Sequence, residues 1–137
     1  MRDAFSDNWR RRLALFSCGA ATFVLTVWAT ATYRPWALRN HVEDLHFAGS
    51  VPSLGGTATA VLVISGFLGT TRAKALSASR GLAVGCVAYE ILQPTLGTGV
   101  FDWYDVLACV LGYVLAFPLV TAVWRTSVIE IVPTNSR

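Results

Sequence analysis

Charge is what this chain has least of. Only 14% of its 137 residues are Asp, Glu, Lys or Arg, against about 25% in an ordinary soluble domain. That is too few to cover a surface that faces water on all sides. The basic residues are almost all arginine, with Lys74 the single lysine. Cysteine is sparse as well. Cys18, Cys86 and Cys109 have no CxxC spacing, which excludes the common thiol metal and redox motifs and leaves small-residue packing as their role. No GxSxG, HExxH or phosphate-cradling glycine loop occurs, which argues against a standard hydrolase or NTPase. There is no internal repeat, low-complexity tract or long linker, and 137 residues allow one domain at most. An apolar share of 54% excludes disorder.

What is present is a set of long uncharged runs. Residues 13–32 and 51–71 carry no charge, 81–99 carry only Glu90, and 106–124 again carry none. A helix rises about 1.5 Å per residue and must cross about 30 Å of hydrocarbon, so about 20 residues suffice. The runs are continuously apolar rather than alternating, which argues against a membrane β-barrel. The expected fold is all-α: a four-helix transmembrane bundle forming one integral membrane domain over 1–137, with spans near 13–32, 48–70, 79–98 and 103–124.

The cations orient it. Arg2, Arg10, Arg11 and Arg12 precede the first span, Arg72, Lys74 and Arg80 lie between the second and third, and Arg125 and Arg137 follow the fourth. Only Arg34 and Arg39 fall on the opposite side. By the positive-inside rule both termini are cytoplasmic. Aromatic anchors agree, with Trp28, Tyr33, Trp36, Phe101, Trp103 and Tyr104 outside and Trp9 and Trp124 inside. The net charge of +3 then reflects loop arginines and attraction to anionic lipid, so no nucleic-acid partner is expected. Arg10-Arg11-Arg12, the apolar run and Ala29-Thr30-Ala31 imitate a cleavable signal peptide, but the run exceeds the usual 7–15-residue core (roughly) of such a segment. Leu15-Phe16-Ser17-Cys18 imitates a lipoprotein box, with too few apolar residues ahead of the cysteine. The tail 133–137 is expected to fray.

The informative residues are those that do not belong in lipid. A carboxylate inside a span costs roughly 2.5–3.5 kcal/mol on insertion scales and usually faces the bundle or a wet cavity. Glu90 is the one such residue well inside a span, and Gln93 shares its face at i+3. Pro94, at i+4, leaves the Glu90 carbonyl without its helical donor. Gly97-Thr98-Gly99 then ends the helix. Beyond the turn, Asp102 and Asp105 are followed at helical spacing by Cys109, Gly112 and Ala116, a small-residue face suited to close helix approach and expected to meet Gln93 and Glu90. Counting outward from a turn centred near Gly99 sets Gln93 level with Asp105 and Glu90 level with Cys109. The first outer loop adds His41, Glu43, Asp44 and His46, so the acid–base groups collect in the outer half and indicate an extracytoplasmic or outer-leaflet ligand. Simpler roles stand beside this. Asp102 and Asp105 suit a helix N-terminus, the loop histidines suit hydrated positions better than a metal site, Glu90 can serve as a hydrogen-bonding strut, and Gly55-Gly56 and Gly66/Gly69 suit close helix contact.

Tyr89-Glu90-Ile91-Leu92-Gln93, the turn after it, Phe101-Asp102-Trp103-Tyr104-Asp105-Val106-Leu107-Ala108 and then Leu111-Gly112 resemble the VanZ-like family. Its pattern is an E-x-x-Q closing one span, a turn, an acid, a D-[VIL]-L-A run and a glycine in the next. Asp44-Leu45-His46-Phe47 is similar to the histidine-containing start of the family's second span, so the resemblance covers about 44–117. The chain departs from the pattern in three places. The turn 95–101 carries no arginine, Cys109 stands where an asparagine is usual, and Glu43 stands where a lysine is common. VanZ-like proteins are bacterial membrane proteins, named for one that lowers susceptibility to teicoplanin, a glycopeptide acting outside the cytoplasmic membrane on cell-wall precursors. The resemblance implies a cell-envelope role in a bacterial cytoplasmic membrane.

The residues and the resemblance together give a binding or envelope-modulating protein. Its contacts are membrane lipids and a lipid-linked cell-wall precursor or glycopeptide-related ligand. Glu90 and Gln93 form the floor of its pocket, Asp102 and Asp105 the rim, and His46 a titratable flank. No cofactor or metal is implied. Two alternatives remain open: a small intramembrane enzyme acting on a lipid headgroup, with Glu90 as acid or base and His46 or Asp105 as its complement, and a structural subunit of a larger membrane assembly.

Overall fold

The computed structural model describes residues 2–42 and 46–125. Glu43, Asp44 and the tail 133–137 lie outside the described residues. The chain forms helices α1 (Arg2–Trp28), α2 (Arg34–Arg39), α3 (Phe47–Leu68), α4 (Arg72–Leu96) and α5 (Trp103–Arg125). A π-helical turn, Ala29–Tyr33, joins α1 to α2 without a break. Four helices are long and apolar enough to cross a membrane, the first of them running through α1, the π turn and α2. The fold is the expected all-α bundle, and the chain has the make-up of a multi-pass membrane protein.

The helices overrun the apolar runs that announced them. α1 starts at Arg2, ahead of the expected 13, and its continuation reaches Arg39 instead of stopping at 32. α4 starts at Arg72 instead of 79. Hydropathy marks where charge begins, whereas a helix ends only where caps or backbone breakers end it. The π turn has a local cause. Pro35, in the first turn of α2, has no N–H for the carbonyl four residues back and its ring crowds that carbonyl. Widening the turn, with the Arg34 N–H on the Ala29 carbonyl, carries the helix past it. Thr71 begins α4 by accepting the Lys74 N–H at 3.3 Å, and Gly97 ends it in the left-handed region at φ 66°.

α3 is the central helix, in contact with α1, α4 and α5, while α1 and α4 do not meet. Glycines set the closest approaches. A Cβ on Gly55 would run into the Thr26 side chain, and one on Gly66 would sit 3.3 Å from Leu15 Cβ, so the α1–α3 contact is as close as those glycines suggested. A Cβ on Gly112 would strike the Leu54 carbonyl oxygen. Thus the face expected to meet α4 packs on α3 at Gly112, while Cys109 reaches both α3 and α4. Gly56 also departs from expectation, since nothing lies within 4 Å of its Cβ position. It lines open space.

The core gathers Leu15, Ala58, Val61, Leu62, Ala75, Ala116, Val120 and Trp124 from all four long helices. It sits in the half of the bundle that carries the arginines. There Arg12 donates from Nε to the Gly66 carbonyl and from a terminal nitrogen to the Phe67 carbonyl, both at 2.9 Å. It thereby closes the C-terminal end of α3, where carbonyls lack helical donors and the dipole favours a cation. The Arg11 guanidinium lies 5.7 Å from the centre of the Trp124 ring, within cation–π range. The opposite end carries aromatic pairs: Tyr33 with Trp36 and Phe47, and Phe101 with Trp103. Between the core and those aromatics lies the polar site.

Candidate functional site

Three helices supply the site. Glu90, one and a half turns from the end of α4, is 7% exposed and the one buried carboxyl among the described residues. Its Oε1 accepts a hydrogen bond of 3.0 Å from Ser53 Oγ on α3, and its Oε2 accepts one from the Gln93 amide nitrogen one turn on. From α5 the Cys109 thiol lies 3.9 Å from Oε1, and 3.8 Å from the Ser53 carbonyl. Glu90 and Cys109 are therefore level, as the count from the turn requires. The turn sets this register because Gly97 reverses the chain within a few residues, and Thr98 N–H returns to the Gln93 carbonyl at 3.2 Å.

Gln93 is half-buried beneath that turn. A Cβ on Gly99 would collide with its amide oxygen, so the absent side chain at 99 leaves room for the amide to turn down onto Glu90. Ser53 is the member that sequence reasoning missed. A signal existed: Ser50, Ser53 and Thr57 recur at i, i+3 and i+7 on one face of α3, and Ser50 and Thr57 are buried. Hydroxyls on a membrane helix commonly bond their own helix or a neighbour, which made that stripe easy to read as plain packing.

The other expected residues are not part of this cluster. Asp102 Oδ1 accepts the Tyr104 N–H at 2.9 Å, the capping role open to an acid at a helix start. Asp105 is half-buried one turn outward from Cys109 on the same face of α5. His46 stands in the left-handed region at φ 65° immediately before α3, and its ring stacks on Tyr104 at 4.4 Å with planes 10° apart. It thus ties the start of α3 to α5 and is solvent-exposed. Among the described residues no three His, Cys, Asp or Glu side chains gather as metal ligands.

Chemically, the cluster offers a carboxyl held by neutral donors from α3 and α4, beside a thiol from α5. A carboxylate has about four lone-pair sites. Ser53 and Gln93 together leave room for a further donor. No lysine, arginine or histidine is among the described partners of Glu90. Comparison of the chain with known protein families, with characterised proteins and with solved structures finds no match.

Proposed function

We propose that this chain is a multi-pass protein of a bacterial cytoplasmic membrane, VanZ-like in type, which binds an outer-leaflet or extracytoplasmic ligand connected with the cell envelope. The observation that carries the reading is the buried Glu90 carboxyl, held by Ser53 and Gln93 with no cation among its described partners. A carboxyl this costly to insert is retained for a task. The ligand is a lipid-linked cell-wall precursor or a glycopeptide-related molecule. Glu90 and Gln93 are the floor of its pocket, Asp105 lies on the approach, and Asp102 and His46 form the rim, their side chains partly engaged with α5 itself. The arginine-bearing helix ends face the cytoplasm by the positive-inside rule, which turns the Glu90 half outward.

The test is a deletion strain with complementation by wild type, Glu90→Gln and Asp105→Asn. Deletion alters glycopeptide susceptibility or the composition of cell-wall precursors, wild type restores it, and Glu90→Gln does not. Unchanged susceptibility and unchanged precursors in the deletion strain overturn the reading. Cysteine-accessibility labelling in the turn 95–101 checks the orientation independently, since the proposed topology requires reaction with impermeant reagents applied from outside.

A further inference from the structure

The bundle leaves a space beside α4. A groove runs between α3 and α4, walled by apolar side chains such as Ile64, Leu68 and Leu82. Gly56, Gly81 and Gly85 also line it, all three exposed, and no atom lies within 4 Å of their Cβ positions. At one end it reaches Ser53, Glu90 and Cys109, and at the other Ala78. From Ala78 to Glu90 the helix rises about 18 Å, close to the roughly 15 Å depth of one leaflet, half the hydrocarbon core. The positive-inside rule puts the Ala78 end at the cytoplasmic surface. The groove therefore follows the inner leaflet and stops at mid-membrane.

Charge marks the cytoplasmic mouth. Lys74 stands one turn before Ala78 on the same face of α4 and is exposed. Side chains on a helix lean toward its N-terminus, which for α4 is toward the cytoplasm. On the α3 side Leu68 lines the groove, and the carbonyl of the neighbouring Phe67 holds Arg12. Both bonds that Arg12 makes to α3 go to neutral carbonyls, which leaves its charge uncompensated and three of its five donors over. Residues 47–89 contain no Asp or Glu, so neither α3 nor this part of α4 brings a carboxylate to the mouth. A lysine and an arginine beside an apolar path complement a phosphate, and basic positions between membrane helices on the cytoplasmic side suit anionic lipid heads. A zwitterionic head adds an ammonium of its own and matches this mouth less well.

We propose that the α3–α4 groove holds one acyl chain of an anionic phospholipid of the inner leaflet, with its phosphate at the mouth on Lys74 and Arg12. The lipid keeps the orientation it has in the bilayer, head at the cytoplasmic surface and chain running inward. The open glycines keep the path clear, and the chain ends beneath the Ser53–Glu90 contact. This shares only the orientation of the bundle with the proposed function, whose ligand reaches Glu90 from the opposite side of the membrane.

The experiment uses the full chain in phosphatidylcholine nanodiscs, with phosphatidylglycerol carrying a photoactivatable diazirine near the end of one acyl chain as probe. Labelling maps to α3 and α4 around Gly56 and Gly85. Unlabelled phosphatidylglycerol competes about tenfold better than phosphatidylethanolamine, as two cations at the membrane surface predict. Lys74→Gln lowers that preference about fivefold. Arg80→Gln removes the same charge from the opposite face of α4 and changes the preference by less than about twofold. Gly85→Leu, which fills the groove, lowers labelling about tenfold or more, whereas Val84→Leu, at the 69% exposed neighbouring position, leaves it unchanged. Gly81→Val repeats the blocking test should Gly85→Leu fail to fold. Equal competition by the two lipids, undiminished labelling in the blocked variants, or labelling at the outer turn 95–101 overturns the proposal. Equal losses from Lys74→Gln and Arg80→Gln also overturn it, since they would show diffuse attraction to the membrane surface and no site at the mouth.

Discussion

The same residue type produces opposite results on the two sides of α3. Toward α1 and α5, glycines are notches that a partner fills: Gly55 against Thr26, Gly66 against Leu15, and Gly112 against the Leu54 backbone. Toward α4, Gly56, Gly81 and Gly85 face nothing. Two glycines four apart, as at 81 and 85, ordinarily mark a close helix crossing in membranes. Here the crossing is held apart at the Ser53–Glu90–Cys109 contacts at one end. At the other, Ala75 packs within the core. Small residues permit close approach but do not compel it. The polar contacts decide where α4 stands, and the space between the two anchor points becomes the groove.

The strongest way to break this comparison is to put one side chain on each side of α3. Gly112→Leu drives its side chain into the Leu54 backbone, which can shift only by moving α3. Overpacking costs about 1–3 kcal/mol and sometimes more, and we expect the upper end of that range or loss of the folded state. Gly85→Leu enters open space and shifts stability by no more than about 0.5 kcal/mol. Thermal unfolding of both variants in mild detergent checks this. Equal destabilisation would mean that α4 closes onto α3 and that the asymmetry is absent.

A smaller effect contrasts two arginines. Arg12 bonds the Gly66 and Phe67 carbonyls, while Arg80 is exposed on α4, on the open side of the bundle. Hydrogen bonds to charged groups contribute about 1.5–3 kcal/mol each when well buried. Because the Arg12 pair is only partly shielded, Arg12→Ala is expected to cost about 1.5 kcal/mol in total. Arg12→Lys restores less than half of that loss, for lack of the guanidinium fork. Arg80→Ala changes detergent unfolding by no more than about 0.5 kcal/mol. A comparable loss from both would show that the arginines act through their charge at the membrane surface and not through the α3 carbonyls.

Much of this was legible in the sequence, and what was not has identifiable causes. The four spans follow from runs too apolar for any soluble surface, and the level of Glu90 with Cys109 follows from the tight glycine turn between their helices. A short connection fixes register. Three things were hidden. The helix ends were, because Pro35 and the arginines interrupt hydropathy without interrupting the backbone. The partner of the Gly112 face was also hidden, because spacing identifies a notch but not the helix that fills it. The third was Ser53, because the hydroxyl stripe it shares with Ser50 and Thr57 reads as ordinary packing and its acceptor lies 37 residues away. His46 adds a further lesson. Its place before α3 was readable, but its stacking on Tyr104 depends on a left-handed backbone angle that no pattern announces.

The smallest effect concerns the contact that separates packed side from open side. Ser53 Oγ is the one side-chain donor that α3 gives to Glu90 among the described residues. Interhelical hydrogen bonds in membranes average about 0.6 kcal/mol and rarely exceed about 1.7 kcal/mol, so Ser53→Ala is expected to cost about 0.6 kcal/mol. Stability alone cannot separate a lost bond from a lost oxygen. A double-mutant cycle with Glu90→Leu does, because removing both partners leaves no unsatisfied group behind. The coupling should recover most of the Ser53 loss, with the double variant nearly as stable as Glu90→Leu alone. Zero coupling would leave Gln93 as the effective partner, remove the α3 anchor at this end of the groove, and predict that α4 can approach α3 there. Gly85→Leu would then become the destabilising substitution.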